Sequence, residues 1–284
     1  MVFMEFTKMH GLGNDFVIVS KYKDIPKDVE RLAIAMCDRH FGVGADGLVF
    51  ILPSDQADVR MRIFNADGTE AEQCGNAIRC VSKYVYDHEL VNKEKLSVET
   101  LAGIQHVKLH TKEGIVNTVE VDMGEPILKG ELVPTAIHDP QVVDRTIEVD
   151  GVTFHFTAVS MGNPHAVIYV ENAKDFDVEK WGPKIETHPL FPKKTNVEFV
   201  TVKSDKELEM RVWERGVGQT LACGTGACAT GVASVLTGQA SRDVTIHLKG
   251  GDLKVFWNPE DNKVYMTGEA REVFTGNWLA PVEF

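Results

Sequence analysis

Met61-Arg62-Ile63-Phe64-Asn65 is followed, after eight residues, by Cys74-Gly75-Asn76-Ala77; Met210-Arg211-Val212-Trp213-Glu214 is followed, after eight residues, by Cys223-Gly224-Thr225-Gly226. The two passages lie 149 residues apart, and the same offset superposes Gly13-Asn14 on Gly162-Asn163. The chain is therefore duplicated internally, and each copy delivers one Cys-Gly step. Such a duplication implies two equivalent thiols meeting across a pseudo-twofold axis.

Working outward, Asp58 to Phe64 alternates Val59, Met61 and Ile63 with Arg60, Arg62 and Phe64, the period of a half-buried strand, and Glu207 to Trp213 repeats it. Each strand enters a polar, glycine-containing loop that ends in the Cys-Gly step. Asn76 to Leu90 then places Ala77, Ile78, Val81, Tyr84 and Val85 on one helical face. The second helix, from Thr225 to a stop at Gly238, is small on nearly every side (Ala227, Cys228, Ala229, Gly231, Ala233, Ser234), which lets other elements approach it closely. SVETL and GIQHVKLH follow the first helix, and VTIHL and GDLKVFW the second, as further strands. Each half reads as a mixed, mostly antiparallel sheet curled about a central helix. The fold class expected is α+β: two pseudo-symmetric domains, residues 1–125 with 272–284 and residues 126–271, with the active site in the cleft between them.

The bulk composition bounds the function. The 284 residues suffice for two domains, and 43% hydrophobic with 25% charged residues is a globular balance. The net charge of −12 argues against nucleic acid or an anionic membrane as partner. No apolar run is long enough to span a bilayer, and the first residues lack the pattern of a secretory signal. The five cysteines (Cys37, Cys74, Cys80, Cys223, Cys228) are odd in number and sparse, so reduced thiols in a cytoplasm are expected. Their spacing suits zinc poorly, and no metal is expected. HFGVGADGL is glycine-rich but lacks the GxxxxGK of a phosphate loop.

A cysteine at a helix start meets unpaired backbone N–H groups and the positive end of the helix dipole, which favour the thiolate and lower its pKa. The same N–H groups hold carboxylates, and the adjoining glycine admits a ligand to the backbone. Two such elements flanking one α-carbon supply a base on one face and an acid on the other, which inverts a stereocentre. The helix starts stabilise the carbanion through its carboxylate oxygens. Cys37, Cys80 and Cys228, without this context, read as small buried hydrophobes. Taken alone, Gly13-Asn14 and Gly162-Asn163 read as turns.

HGLGNDF (His10 to Phe16), FGVGADG (Phe41 to Gly47), FNADGTEAEQCGNAIRC (Phe64 to Cys80), GNPH (Gly162 to His165), TNVEF (Thr195 to Phe199) and WERGVGQTLACGTGACA (Trp213 to Ala229) together resemble the diaminopimelate epimerase family over nearly the whole chain. The resemblance implies a cofactor-independent isomerase that interconverts LL- and meso-diaminopimelate, on the route to lysine and peptidoglycan, and a homodimer is compatible with it. By motif, Cys74 and Cys223 resemble the two catalytic thiols. Gly75, Asn76, Gly224 and Thr225 fall where the reacting carboxylate is held. Asn14, Asn65, Asn163, Asn196, Glu214 and Arg215 fall at substrate contacts, with Arg215, Asn65 and Asn196 at the distal end, where a guanidinium fork suits a second carboxylate. His165 and Glu214 match positions that tune the thiol pair.

Two positions depart from the family pattern. Gly47 stands where many relatives have Gln, the pseudo-symmetric partner here being Asn196, and Ala77 stands where glycine is common. The alternatives are a racemase of the same superfamily acting on another amino acid, a thiol redox protein, for which a CxxC pair would be expected, and a non-catalytic anion-binding module.

Overall fold

The structure is a computed structural model and describes residues 4–279. The ends of the first expected domain, residues 1–3 and 280–284, lie outside the described residues. By its contacts the chain divides into two compact units, one running to Val121 and resuming at Gly268, the other Asp122–Thr267. The return to the first unit thus comes at Gly268, four residues ahead of the expected 272.

In the first unit the hairpin Met4–Gly11/Asn14–Val19 turns at Leu12 and Gly13, both with positive φ (57° and 88°). Asn14–Val19 then pairs in parallel with Gly47–Leu52, and the crossover carries helix α1 (Val29–Cys37). Gly47–Leu52 pairs antiparallel with Val59–Asn65. A second crossover, helix α2 (Gly75–Asp87), leads to Lys95–Thr100, parallel to Val59–Asn65. Gly103–Lys112 and Ile115–Asp122 extend the sheet, and Arg271–Trp278 closes its other end against Met4–Gly11. Helix α2 touches strands at both ends of this sheet, which a sheet achieves only by curling around it.

The second unit repeats this order. Val152–Ser160 and Pro164–Tyr169 form the hairpin, turning at Gly162, φ 96°. Pro164–Tyr169 runs parallel to Asn196–Ser204, with helix α3 (Val178–Glu186) in the crossover. Asn196–Ser204 pairs antiparallel with Glu207–Glu214, and helix α4 (Gly224–Leu236) leads to Asp243–Leu248, parallel to Glu207–Glu214. Gly251–Trp257 follows as an antiparallel neighbour. Between the two repeats, Val142–Val149 forms a strand paired with Val152–Ser160.

Both central helices begin one residue earlier than the sequence suggests, and α2 ends at Asp87 rather than at Leu90. Helix α4 stops where expected for a glycine signal: Gly238 adopts φ 70°, and the N–H groups of Gly238 and Gln239 close on the Val235 and Ser234 carbonyls. Helix α2 ends with the same pair of bonds, from Glu89 to Tyr86 and from Leu90 to Val85, but with Glu89 in the left-handed conformation. Helix α2 is also not one-sided. Besides its apolar face it buries Asn76, Arg79, Cys80 and Ser82, because the curled sheet leaves it no solvent side.

Candidate active site

In each unit the cysteine is the N-cap of the central helix, with extended backbone (φ −147° at Cys74, −125° at Cys223). The strand before it and the glycine after it make this the entry to the first helical turn, whose N–H groups have no acceptor within the helix. Cys223 Sγ accepts from Gly226 N–H at 3.4 Å and lies 3.5 Å from Thr225 Oγ1. Cys74, half-buried, lies 3.8 Å from Asn14 Oδ1.

The hairpin turn of each unit delivers an asparagine to the residue two beyond the cysteine. Asn14 Oδ1 accepts from Asn76 Nδ2 at 3.1 Å, while Asn14 Nδ2 donates to Asp46 at 2.7 Å. Asn163 Nδ2 donates to Thr225 Oγ1 at 3.3 Å, and Asn163 Oδ1 lies 3.0 Å from His165 Nε2. Of the expected site residues, the first unit thus joins Asn14, Cys74 and Asn76, and the Gly75 carbonyl accepts from Arg79 at 2.9 Å. The second unit joins Asn163, His165, Thr225, Cys223 and Glu214, the last bonded to Thr220 and to the Cys223 thiol. Asn196 and Arg215 form a separate pair: Asn196 Oδ1 accepts from the Arg215 N–H at 2.8 Å, and its Nδ2 donates to the Pro164 carbonyl at 2.8 Å. The exposed Arg215 guanidinium donates to the Lys193 carbonyl at 3.1 Å. Asn65 is bonded to Thr69 at 3.0 Å rather than to the Cys74 group.

Gly47 is accounted for locally. In the second unit the Asn196 side chain holds the Arg215 N–H; at the equivalent place in the first, the Ala66 N–H goes to the Asp46 carbonyl at 3.1 Å. A Cβ at Gly47 would stand 3.0 Å from the Phe64 carbonyl.

The electrostatics of Cys223 differ from the expectation of a lowered pKa. Burial pushes its thiol well above the ordinary value, and Glu214 and Glu198 add to this; Thr225 and the Gly226 N–H oppose it without prevailing. Burial beside two carboxylates outweighs the helix start. Burial likewise raises the Glu214 carboxyl, against hydrogen bonds from Thr220 and Cys223. Cys223 is therefore a proton-bearing thiol whose conjugate base has two donors waiting. Cys37 and Cys80 are pushed by burial to about 12, as inert core thiols should be.

Two residues of these networks escape a reading by motif. Arg79 is fully buried in α2, donating to the Gly75 carbonyl, to Asn76 Oδ1 at 2.8 Å and to the Glu269 carbonyl at 3.2 Å. Glu198, also fully buried, bonds His165 Nδ1 at 2.7 Å. The available signal for each is a charged residue inside a run whose neighbours are all interior.

A family model described as diaminopimelate epimerase matches residues 6–129 and 157–273. The chain belongs to the diaminopimelate epimerase family. It is 57% identical to the diaminopimelate epimerase of Desulfitobacterium hafniense over 276 residues, covering 96% of this chain and 97% of that one. The diaminopimelate epimerase of Acetivibrio thermocellus is 56% identical over 275 residues (96% and 98%), and that of Methanococcus maripaludis 54% over 273 (96% and 99%). Among solved structures, the fold is similar to a PhzF-family phenazine biosynthesis protein of Bacillus anthracis, with a TM-score of 0.71 at 17% identity, covering 99% and 100% of the two chains. It is also similar to a hydroxyproline epimerase of Agrobacterium vitis, with a TM-score of 0.70 at 15% identity, covering 97% and 91%. As a member of the diaminopimelate epimerase family the chain is an isomerase.

Proposed function

We propose that the chain interconverts LL- and meso-2,6-diaminopimelate by transfer of two protons at the α-carbon, using Cys74 and Cys223 and no cofactor. The observation that carries this reading is the repeated unit of chemistry: a cysteine capping a helix, with a hairpin asparagine bonded to the residue two beyond it, in both halves. One thiolate removes the α-proton, and the other thiol returns a proton to the opposite face. The enclosure of Cys223 makes it the donor in the described state, with Cys74 the base; the reverse reaction exchanges the roles. As Cys223 gives up its proton, the Gly226 N–H, the Thr225 hydroxyl and the positive end of α4 stabilise the thiolate. The N–H groups of Gly75, Asn76, Gly224 and Thr225 hold the reacting carboxylate, where the carbanion's charge collects.

Arg215 supplies the fork for the distal carboxylate, and Asn196 shapes the turn that presents it. Asn14, Asn65 and Asn163 serve the substrate's polar groups, and His165 with Glu214 sets which sulfur holds the proton. The enzyme would serve lysine and peptidoglycan precursor synthesis in a reducing cytoplasm, where both thiols stay free. Sizing of the pure protein decides whether it works as a homodimer.

The test is incubation of the protein with LL-diaminopimelate in deuterium oxide, under reductant and without pyridoxal phosphate. The expected result is formation of the meso isomer with solvent deuterium at the α-carbon, abolished in both Cys74→Ala and Cys223→Ala. Retained turnover in either variant would remove the two-thiol mechanism.

A further inference from the structure

The Cys223 thiol is the end of a chain of hydrogen bonds that begins at a carboxylate the mechanism above does not use. Glu198 and His165 sit on neighbouring parallel strands, where His165 pairs with Asn196 and Val167 with Glu198. Neither side chain has exposed surface. Glu198 Oε1 is 2.7 Å from His165 Nδ1, and Oε2 has no protein hydrogen-bond partner among the described residues. Helix α4 packs directly on this carboxylate: a Cβ at Gly226 would lie 2.6 Å from Glu198 Oε1 and 3.3 Å from Cys223 Sγ.

The direction of each bond follows from the donors available. Asn163 Oδ1 faces His165 Nε2, so Nε2 carries a proton and donates. Asn163 Nδ2 then donates to Thr225 Oγ1, which leaves the threonine hydroxyl proton for Cys223 Sγ. A ring bare at Nε2 would reverse all of this. Asn163 would turn over, Thr225 would donate to Asn163, and the sulfur would keep only the Gly226 N–H as donor. Charge decides between the two. A single ring proton on Nδ1 beside an ionised Glu198 leaves an enclosed net negative charge, with Oε2 unpaired, and such a charge is costly. With one proton shared between Oε1 and Nδ1, and a second on Nε2, the pair is neutral.

We propose that Glu198 is a positioning residue for the thiol chemistry: it holds His165 with Nε2 protonated, which orients Asn163 and makes Thr225 a hydrogen-bond donor to Cys223. The proposal rests on Cys223 being one of the two acid/base thiols. Glu198 makes no hydrogen bond to the sulfur; besides its charge near Cys223, it acts through the three side chains between them.

The test has two arms. In nitrogen-15 spectra of the wild-type protein, with the His165 signals identified by their loss in His165→Gln, Nε2 is expected to carry a proton; a bare Nε2 overturns the proposal. In the second arm Glu198→Met, an apolar replacement of similar length, is expected to lower kcat about tenfold with a smaller effect on KM. Removing one partner of a buried pair destabilises, so Tm is expected to fall in the Met variant, and kcat and KM are compared at a temperature where every variant is folded. Glu198→Gln restores a partner at Nδ1 and is expected to recover activity relative to Met. Wild-type kcat in the Met variant, or equal loss in Gln and Met, overturns the proposal; should the Met variant fail to fold, the wild-type spectrum and the Gln variant decide. Inactivity of Cys223→Ser beside a fully active Glu198→Met rejects this inference alone, whereas activity in Cys223→Ser rejects the two-thiol reading itself.

Discussion

Asn163 donates to Thr225 Oγ1 at 3.3 Å, whereas its twin Asn14 accepts from Asn76, the residue equivalent to Thr225, at 3.1 Å. The same link thus runs in opposite directions in the two units. The cause lies one bond further out: Asn14 spends its Nδ2 on Asp46, and Asn163 spends its Oδ1 on His165. The first unit's helix also encloses the Arg79 cation, while the second unit's carboxylates Glu198 and Glu214 face Cys223. Two copies of one element have become an unequal pair.

Glu214→Gln should lower the Cys223 pKa, since it removes a neighbouring negative charge that helps hold the thiol protonated. The sign is fixed: a raised pKa means less thiolate at a given pH, so the variant should form thiolate at lower pH. The ultraviolet absorbance of the thiolate, titrated against Cys223→Ser as blank, measures it. An unchanged or higher midpoint would contradict the assignment.

Arg215→Ala should cut kcat/KM on diaminopimelate by between about tenfold and a hundredfold, the worth of a charge-assisted hydrogen bond. The guanidinium is exposed and donates to the Lys193 carbonyl, so Tm should stay near the wild-type value. Steady-state kinetics with thermal unfolding of the same preparation tests both halves. Unchanged turnover would point to a substrate with one carboxylate.

Gly226→Ala should both destabilise and inactivate. Its Cβ would land 2.6 Å from Glu198 Oε1, on a side chain that is itself fully buried. Overpacking of this kind costs about 1–3 kcal/mol. Chemical denaturation measures the loss, and a variant with wild-type stability and activity would show that Glu198 can move aside.

Asp15→Asn should destabilise the protein by about 2 kcal/mol at neutral pH. Burial alone would raise the Asp15 carboxyl, but hydrogen bonds from Arg39 and Lys8 prevail and bring it down to about 2 from 3.8. A depressed pKa contributes stability that is complete above 3.8 and lost as pH falls through 2. The difference between wild type and variant should therefore be full at neutral pH and close across that acidic window, as urea unfolding at several pH values will record.

Glu89→Gly should stabilise the end of α2. Glu89 occupies φ 58° in the turn that Gly238 makes at the end of α4, and a side chain in that conformation costs about 1 kcal/mol relative to glycine. A higher Tm with unchanged activity is the expected outcome.

Much of the molecule was legible in the order of its residues. The 149-residue offset exposed the duplication, the alternation at Val59–Ile63 and Leu208–Val212 exposed the strands, and the Cys-Gly steps exposed the helix starts, because each of these signals is local. The one-sided reading of α2 fell short because Arg79 and Ser82 look like solvent residues until a sheet closes over them. The lowered thiol pKa expected at a helix start fell short for the same reason: backbone geometry is local, but burial at Cys223 is not.

The sequence by itself determined that the chain is two copies of one design, each a strand and a loop leading to a cysteine that opens a helix. Only the tertiary structure decided that Glu198 stands against His165, that Gly226 leaves room for Glu198 beside Cys223, and that the two asparagine links point opposite ways. Repetition and periodicity are properties of neighbours along the chain. Charge, enclosure and hydrogen-bond direction depend on which distant residues a curled sheet brings to one helix end.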